Sequence, residues 1–594
     1  MTETEPNPIR HRWRFIQWPF IWALAMLAFI LGMIGFAKMP SDTPISCSDL
    51  VYSTLQLFVL NVSISGPLSW QLEVARFLAP GVMAYTATQA LFVLFREQLK
   101  LLRLRFARRH VVVCGLGRAG FKVATDFRRH GERVVIIEAD GENEWIGTAE
   151  ARGATVLIGD ATDAQLLHQA RIAHARLLVI VCGHDGINVE TAIRAYELKR
   201  QARPGTGPVL ECQVHIVEPD LRALFKEHRV FTDTGDRFRV MLFNVYDSSA
   251  RLLLRRHPLD RECIGAEDHR TVHLIIIGFG LMGESLLLQA ARGSHFANGR
   301  HLRVTIVDRD PDVHRRCLLR RFPKLDAVCD VAFLAREADD AATLAEIANL
   351  CATSDALPTV AICFDDDTRS LSLALALLPK VKPLSVPILL RMASDGGLTT
   401  LLDADIAAKS LAGLVKFFPV IGLSSKSEAL LHREMDAGAI AAHEDYRVKR
   451  RMGNHDASDP SLNDWDSLDE DLKDSNRQQA DHIEVKLRAI GLTVTVEMTG
   501  ENAGEPVTAF TPEEVELLAR MEHDRWNADR FLAGWSHAPG KKNVESKTSP
   551  WLLDWDALPD DIREYDREAV RNIPHLVELS GRRIVRGAAK SALP

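Results

Sequence analysis

Cysteine pairs with metal-ligand or redox spacing are absent from this 594-residue sequence. Its nine cysteines are scattered without a CxxC, and several stand in apolar stretches, as Cys114, Cys182 and Cys363 do. This pattern argues against a zinc site or a disulfide framework and favours a reducing compartment. A large net charge is also missing, since 72 basic and 79 acidic residues leave −7, so we expect no nucleic-acid partner.

Two long uncharged segments stand near the N-terminus. Residues 19–37 and 77–95 each run for 19 positions without a charge. As helices, each would reach about 28 Å, which suits a hydrocarbon layer of roughly 30 Å. A signal peptide is the alternative for the first segment, and a buried core helix is the alternative for the second.

Basic residues decide the expected orientation of these two segments. Several precede the first segment or follow the second, whereas the loop between the segments has few. The positive-inside rule therefore predicts a multi-pass inner-membrane protein in contact with lipid, with both termini cytoplasmic. The flanking basic residues are Arg10, Arg12, Arg14, Arg96, Lys100, Arg103, Arg105, Arg108 and Arg109.

A shorter apolar stretch at residues 49–60 lies between the two segments, and its length suits a re-entrant helix. A long apolar segment, a short apolar stretch and a second long segment follow one another here. In this order of segments the chain resembles two-span potassium channels with attached ligand-sensing domains. The TVGYG-like filter of that family is missing, because the corresponding segment reads NVSISGPLSW, with Gly66 as its one glycine. A pore and a non-conducting anchor are therefore both left open.

A dinucleotide-binding pattern follows the second segment. The apolar run HVVVCG leads into GLGRAG, where Gly115, Gly117 and Gly120 have GxGxxG spacing, and the next strand, RVVIIE, ends at Glu138. The three glycines suit a tight turn, the approach of a pyrophosphate and close helix–strand packing, in that order. Glu138 suits ribose hydroxyls and disfavours NADP. The motif predicts a site for NAD(H) or an adenine nucleotide.

The same arrangement recurs 163 residues further along the chain, where VHLIIIGFGLMG is followed by a strand, RVTIVD, that ends in an aspartate. Internal duplication is a stronger signal than either motif alone, and it predicts two Rossmann-type α/β units. The predicted nucleotide contacts in the second unit are Gly278, Gly280, Met282, Gly283 and Asp308.

These features resemble the RCK family, the regulators of potassium conductance with TrkA-N NAD-binding domains. The resemblance rests on the strand ATVLIGDATD and the run LLVIVCGHDGINVETA, and it covers residues 108–420. It implies that Asp160 and Ala161 line the adenosine, next to Leu116 and Arg118 of the glycine loop.

The second unit matches the sequence pattern of the family less closely. Its third strand contains Asp330 but no GDA, and FDDDTR at residues 364–369 stands where HDGINV is expected. Its nucleotide site is therefore expected to be altered or vacant, and the first site is the better candidate. An NAD-dependent oxidoreductase is a further alternative, but His184 is a lone loop histidine without a recognisable acid/base partner. We therefore expect no enzyme.

The C-terminal third contains a second duplication. WDSLDEDLKDSNRQQADHI at residues 465–483 parallels WDALPDDIREYDREAVRNI at residues 555–573, and AHEDYRVKR parallels EHDRWNADR. The later copy resembles the RyR domain, the repeat named for ryanodine receptors. The earlier copy is degenerate, since Tyr446 replaces Trp526. Cations and aromatic rings in the later copy suit a phosphorylated, base-containing ligand, and a small helical core is the alternative. The residues concerned are His523, Arg525, Trp526, Trp535, Lys547 and Trp551.

Together these patterns predict an α/β protein with two Rossmann-type RCK-like domains, an N-terminal two-helix transmembrane region and a mainly helical RyR-like pair. We expect a nucleotide-gated, channel-like homotetramer without a bound metal or catalytic residues. A membrane effector of a nucleotide-signalled defence system is the second hypothesis. The expected units are residues 1–14, a cytoplasmic tail; 15–107, the membrane region; 108–265 and 266–423, the Rossmann domains; 424–500, the degenerate repeat; and 508–585, the RyR domain.

Overall fold

The structure is a computed structural model, and the fold is given for the residues that it describes. These are residues 8–39, 46–60, 68–95, 102, 104–203, 205, 207–226, 228, 230, 237–392, 414–419, 426–452, 460–465, 468–496 and 505–586.

Three helices form the N-terminal region, and they are α1 (Pro8–Ala37), α2 (Cys47–Phe58) and α3 (Trp70–Leu94). Two glycines of α1 allow the other two helices to approach closely. A Cβ atom on Gly32 would lie 2.7 Å from a methyl group of α2, and one on Gly35 would lie 2.7 Å from a Cβ of α3. Small residues at such contacts are typical of helices that pack in a membrane.

Within α1, residues 19–37 form the one helix of the described chain that is long and apolar enough to cross a membrane, with mean hydropathy 2.4. The second predicted span lies in α3, which does not meet the same criterion over its described residues. A two-span topology therefore stays a prediction. Helix α2 corresponds to the predicted re-entrant stretch, and Gly66 lies outside the described residues.

The first Rossmann unit is a six-stranded parallel sheet in the order β3-β2-β1-β4-β5-β6. All four residues of the central strand are buried, as expected for the apolar run VVVC between two helical layers. The strands are β1 (Val111–Cys114), β2 (Val134–Glu138), β3 (Thr155–Ile158), β4 (Leu177–Ile180), β5 (Leu210–His215) and β6 (Phe238–Phe243). The helices are α4 (Arg118–Arg129), α5 (Trp145–Ala151), α6 (Ala164–Gln169), α7 (Asp185–Gln201), α8 (Pro219–Lys226) and α9 (Val245–Arg256).

The second unit repeats this topology, with the order β12-β11-β10-β7-β8-β9 and parallel pairing throughout. The strands are β7 (Thr271–Ile277), β8 (Leu302–Asp308), β9 (Cys329–Ala335), β10 (Ala356–Ile362), β11 (Ile388–Met392) and β12 (Val415–Pro419). The helices are α10 (Leu281–Gly293), α11 (Pro311–Arg321), α12 (Ala341–Cys351) and α13 (Asp367–Val381). The two predicted Rossmann-type sheets are confirmed.

Strand order positions the candidate sites. In each sheet the first and fourth strands lie side by side, and the chain leaves them toward opposite sides. This reversal opens a crevice at the carboxyl ends of those strands, where open α/β sheets bind their ligands.

The C-terminal region is mainly helical, as predicted. Thr511 begins its central helix with a capping box: its hydroxyl accepts from Glu514 N–H at 3.2 Å, and its own N–H donates to the Glu514 carboxylate at 2.9 Å. The helices are α14 (Lys426–Met452), α15 (Glu470–Ala489), α16 (Pro512–Leu532), α17 (Asp560–Arg571) and α18 (Ile573–Leu579). The strands are β13 (Leu492–Val496), β14 (Glu505–Pro506), β15 (Ser536–His537), β16 (Thr548–Ser549) and β17 (Arg582–Arg586).

The two predicted C-terminal repeats pack against each other. Equivalent strands β13 and β17 pair antiparallel, and Val494 lies opposite its own counterpart, Ile584. A buried triad also joins the repeats, because Lys486 of α15 donates to Glu522 of α16 at 2.6 Å and Arg525 donates to the same carboxylate at 2.8 and 3.1 Å. The pair therefore packs as one body.

Candidate nucleotide sites

The first glycine loop has the backbone that its motif predicts. Gly115 has a φ of 93°, a conformation that favours glycine. A Cβ atom on Gly120 would lie 1.9 Å from the Gly115 carbonyl oxygen, so this glycine lets α4 begin directly against β1. A Cβ atom on Gly117 would meet nothing within 4 Å. The loop is therefore tight toward the protein and open at Gly117, at the N-terminus of α4.

Glu138 ends β2 beside this loop. Its carboxylate accepts from Leu116 N–H at 2.5 Å and from Asp140 N–H at 2.9 Å, while the Leu116 side chain is buried. Asn143 donates to the Leu116 carbonyl at 3.3 Å. These bonds fix the carboxylate at the edge of the crevice, where a carboxylate can accept hydrogen bonds from a ribose.

Asp160 and Ala161 follow β3 on the same side of the sheet. Asp160 accepts from the N–H and the hydroxyl of Thr162, at 2.8 and 2.9 Å, and these two hydrogen bonds lower the pKa of its carboxyl group. Ala161 is buried in the hydrophobic core of the first Rossmann unit. The glycine loop, Glu138 and the Asp160 turn therefore lie along one crevice.

Cys182 and Asn188 belong to this crevice although the sequence analysis did not assign them to it. Burial and, after it, the charges of Glu138 and Asp160 together raise the pKa of the Cys182 thiol to about 12. Asn188 accepts from Cys182 N–H at 2.9 Å and donates to the Cys182 carbonyl at 3.1 Å. The signal was available in the run VCGHDGIN, which contains both residues. His184 begins α7 at the same loop.

The second glycine loop has the same backbone but different surroundings. Gly278 has a φ of 86°. A Cβ atom on Gly283 would lie 2.6 Å from the Gly278 carbonyl oxygen, so this glycine again allows close packing against the preceding turn. Gly280 is open within 4 Å. Asp308 accepts from Phe279 N–H at 2.8 Å, as Glu138 does in the first unit. Met282, in the first turn of α10, is buried in the hydrophobic core of the second unit.

Strand register identifies the third-strand acid of the second unit. Glu138 pairs with Ile158 and Asp308 pairs with Ala335, so Glu337 takes the place of Asp160. Asp330, which the sequence analysis noted on this strand, lies near the opposite end of β9, where its carboxylate is 3.7 Å from His301.

The second crevice is filled by its own side chains. Phe364 takes the position of Cys182 after the fourth strand, and its ring would lie 2.7 Å from a Cβ on Gly278. Arg369 lies over this ring at 4.3 Å and pairs with Glu337 and, at 2.6 Å, with Asp339. FDDDTR therefore follows β10, in the loop that the sequence analysis assigned to it, and its phenylalanine covers Gly278.

The C-terminal residues predicted to bind a ligand fall into two groups, and the first is internal. His523 hydrogen-bonds to the Leu553 carbonyl at 2.8 Å and lies 3.3 Å from the Asp566 carboxylate. In the degenerate repeat, His443 makes the equivalent bond to Asn463 at 2.8 Å, so this histidine is a structural element of the repeat. Arg525 is buried in the triad with Glu522 and Lys486.

The second group lies around Trp535, which is itself 7% exposed and is overlaid by more exposed cations. Arg530 lies over the rings of Trp526 and Trp535 at 5.7 and 5.5 Å, and Lys542 lies over Trp535 at 5.3 Å. Lys547 donates to the Ala533 carbonyl at 3.0 Å, and Trp551 is 36% exposed. The sequence analysis missed Arg530 and Lys542.

The basic residues of this surface have no acidic partner in the part of the chain that the structure describes. No carboxylate pairs there with Arg530, Lys542 or Lys547. Burial lowers the pKa of Lys542, and the positive charge of Arg530 lowers it further. An uncompensated cluster of this kind attracts anions.

Comparison with known proteins agrees with the two motif regions. Residues 111–205 match the family model of the TrkA-N domain, and residues 508–586 match that of the RyR domain. Similar curated proteins include potassium channel protein 1 of Methanocaldococcus jannaschii, 29% identical over 130 residues, and a Trk system potassium uptake protein TrkA homolog of Pyrococcus abyssi, 29% identical over 118 residues. Each alignment covers 20% of this chain, and the chain spans 39% and 48% of the two relatives.

Solved structures that align with this chain include the GsuK channel bound to NAD and GsuK bound to ADP. The first is 13% identical and aligns over 84% of this chain and 89% of its own, with a TM-score of 0.38. The second is 15% identical and aligns over 72% of this chain and 98% of its own, with a TM-score of 0.37. Both resemblances drawn from the motifs are confirmed by the family matches: this chain carries a TrkA-N domain and an RyR domain.

Proposed function

We propose that this chain is a nucleotide-regulated, ion-channel-like membrane protein whose first Rossmann unit binds NAD(H) or an adenine nucleotide. The observation that carries the proposal is the open face at Gly117, set at a helix N-terminus beside a carboxylate that two backbone N–H groups hold in place. Relatives named as potassium channel and potassium uptake proteins support the transport role. Their names describe a channel and an uptake protein, which supports a non-catalytic role for this Rossmann unit.

In the proposed complex the pyrophosphate lies against Gly117 and the N-terminus of α4, where free N–H groups and the helix dipole favour negative charge. Glu138 accepts hydrogen bonds from the ribose, and Asp160 and Ala161 line the adenosine. The carboxylate of Glu138 would repel the 2′-phosphate of NADP.

We assign nucleotide binding to the first unit alone. In the second unit Phe364 covers Gly278, and Arg369 ties the loop to Glu337 and Asp339. A ligand would have to displace an aromatic ring and break two ion pairs before it could reach Asp308. The second glycine loop is therefore proposed as a structural relic of the duplication.

A matched pair of variants tests this assignment. Gly117→Val and Gly280→Val each add a side chain where the Cβ meets nothing within 4 Å and where φ is −69° and −85°, so both proteins should fold. Isothermal titration of the detergent-solubilised chain with NAD and with ADP should lose binding in Gly117→Val and keep it in Gly280→Val. Loss in Gly280→Val, or full binding in Gly117→Val, would contradict the proposal.

The transport role is tested in proteoliposomes. Potassium flux that changes at least several-fold on addition of NAD or ADP, and that Gly117→Val abolishes, supports a nucleotide-regulated homotetrameric channel. Leakage of large dyes would support the membrane-effector hypothesis. Turnover of NADH absorbance would support an oxidoreductase.

We also propose that the RyR repeat senses a second, phosphorylated ligand at the surface formed by Trp526, Arg530, Trp535, Lys542, Lys547 and Trp551. The observation that favours it is the group of cations over aromatic rings without carboxylate partners. Binding of a panel of adenine and guanine nucleotides is measured by tryptophan fluorescence.

The adjacent lysines of this surface give the control for that measurement. Lys542→Gln should weaken binding at least ten-fold, because it removes the cation over Trp535. Lys541→Gln, an exposed neighbour, should leave it unchanged. Equal effects of the two substitutions would refute this site.

A further inference from the structure

The first glycine loop touches the second Rossmann unit. Arg118, the first residue of α4, donates from Nη1 to the Asp365 carbonyl at 3.2 Å. Asp365 follows β10, in the crevice of the second sheet. The loop Phe364–Asp366 therefore lies close enough to the N-terminus of α4 for the Arg118 side chain to reach it. This end of α4 would face the phosphates of a bound nucleotide.

This loop is held in place by the second unit. Arg391 on β11 is buried, donates to the Phe364 carbonyl at 2.8 Å and pairs with the Asp365 carboxylate. Phe364 packs against Gly278, and Asp366 caps α13 by accepting from Thr368 N–H at 2.8 Å. The loop is thus a fixed surface, and its position does not depend on a ligand.

Acidic side chains are concentrated in and beside this loop. Three consecutive aspartates stand at residues 365–367, and the side chain of Asp365 is 90% exposed although Arg391 pairs with one of its oxygens. Arg118 is the cation between these acids and the helix N-terminus. A ligand phosphate beyond the second would therefore approach carboxylates instead of backbone N–H groups.

We propose that the loop Phe364–Asp366 is the far wall of the first nucleotide site, and that Asp365 selects ligands by phosphate charge. The site then accepts a dinucleotide diphosphate such as NAD and disfavours a nucleoside triphosphate, whose phosphate chain carries roughly two more negative charges at pH 7. This inference rests on the proposed nucleotide binding at Gly117 and extends it with a specificity residue from the other unit.

Titration of the full detergent-solubilised chain with NAD and with ATP, both without Mg²⁺, tests the wall. The wild-type protein should bind NAD at least ten-fold more tightly than ATP. Asp365→Asn keeps an oxygen that accepts from Arg391 and removes the charge. The ratio of the ATP dissociation constant to the NAD dissociation constant should therefore fall about three- to ten-fold. The reduction should come from tighter ATP binding, with NAD affinity unchanged.

A second substitution keeps the test independent of folding at Asp365. Asp366→Asn retains a good helix cap, because asparagine caps as well as aspartate, and it removes a second charge from the same wall. It should lower the same ratio in the same direction. Asp355→Asn is the matched control: Asp355 is exposed at the opposite end of β10, and its substitution should leave the ratio unchanged.

The outcomes separate the two proposals. If neither nucleotide binds the wild-type chain, the proposed function and this inference both fail. If NAD and ATP bind with equal affinity, or if Asp365→Asn and Asp355→Asn change the ratio equally, the wall is refuted and nucleotide binding stands.

Discussion

Replacing Glu522 with glutamine should loosen the contact between the two C-terminal repeats. Glu522 lies in α16 and is 4% exposed, and its carboxylate is shared by Lys486 of α15 and Arg525 of α16, which are 1% and 4% exposed. The substitution removes the one negative charge of this triad. Two buried cations then face each other across an uncharged amide, which is the costly way to break a buried ion pair.

The size of the effect follows from the pKa of Glu522 and agrees with the general cost of breaking a buried ion pair. Burial by itself raises the pKa of Glu522, but the charges of Arg525 and Lys486 outweigh it and lower the pKa from 4.5 to about 2. A change of that size corresponds to about 3 kcal/mol of stabilisation of the carboxylate. Removing one partner from a buried pair generally costs about 3–5 kcal/mol, which agrees.

The pH dependence has a definite sign. Because the pKa of Glu522 is lower in the folded protein than in the unfolded chain, its stabilisation is complete above pH 4.5 and is lost as the pH falls toward 2. The wild-type repeats should therefore lose stability over that window, and Glu522→Gln should lose less.

Backbone hydrogen exchange of α15 and α16, followed by mass spectrometry on the full chain, measures the opening of this contact. At pH 7, Glu522→Gln should exchange these amides roughly 100-fold faster than the wild type, the equivalent of about 3 kcal/mol. Glu564→Gln is the control, because Glu564 pairs with Arg571 at the surface, and it should leave exchange unchanged. A change of less than ten-fold in Glu522→Gln would refute the reasoning.

Two further predictions concern titratable groups. Because burial and then the charges of Glu138 and Asp160 raise the pKa of Cys182 to about 12, iodoacetamide at pH 8 should alkylate Cys182 at least ten-fold more slowly than the exposed Cys317, as measured by mass spectrometry. Burial lowers the pKa of His523, but the contributions that raise it, led by the hydrogen bond to Asp566, outweigh burial, so the pKa in the folded protein is above 6.5. The contact therefore stabilises the repeat fully below pH 6.5, and this stabilisation declines as the pH rises through the folded-state pKa. Hydrogen exchange of α16 should accordingly quicken on raising the pH above that value, after correction for the intrinsic rate.

Both predictions have clear contrary results. Equal alkylation rates for the half-buried Cys182 and the exposed Cys317 would show that the crevice does not enclose the thiol. For the histidine, Asp566→Asn is the reference variant. If the corrected exchange of α16 keeps the same pH dependence after that substitution, the pairing does not stabilise the repeat.

Much of the first site was predictable because its determinants are local. Gly115, Gly117, Gly120 and Glu138 stand within 24 positions of one another, and their spacing reflects one strand–turn–helix–strand unit. The second site was harder, because its third-strand acid depends on where β9 ends. Glu337 follows a seven-residue strand, and only its pairing with β8 shows that it replaces Asp160.

The C-terminal residues that were predicted to bind a ligand show a different limit. His523 and Trp526 lie three positions apart on one face of α16, and their rings stack at 5.9 Å. His523 and Arg525 are nevertheless buried, and the neighbouring elements decide this. Packing against the Leu553 carbonyl and against α15 makes these two internal. The sequence alone could not separate them from the group around Trp535.

The sequence by itself determined the duplicated Rossmann units, the apolar helix at residues 19–37 and the repeated C-terminal module, because strand and helix patterns and glycine spacing are properties of short segments. The tertiary structure decided how those segments meet. Arg118 and Asp365 are 247 residues apart, and Lys486 and Glu522 are 36 apart on different helices. Such contacts depend on how whole domains pack, and no local pattern carries that information. The filled second crevice, the acidic wall of the first and the buried triad therefore emerge only in the folded chain.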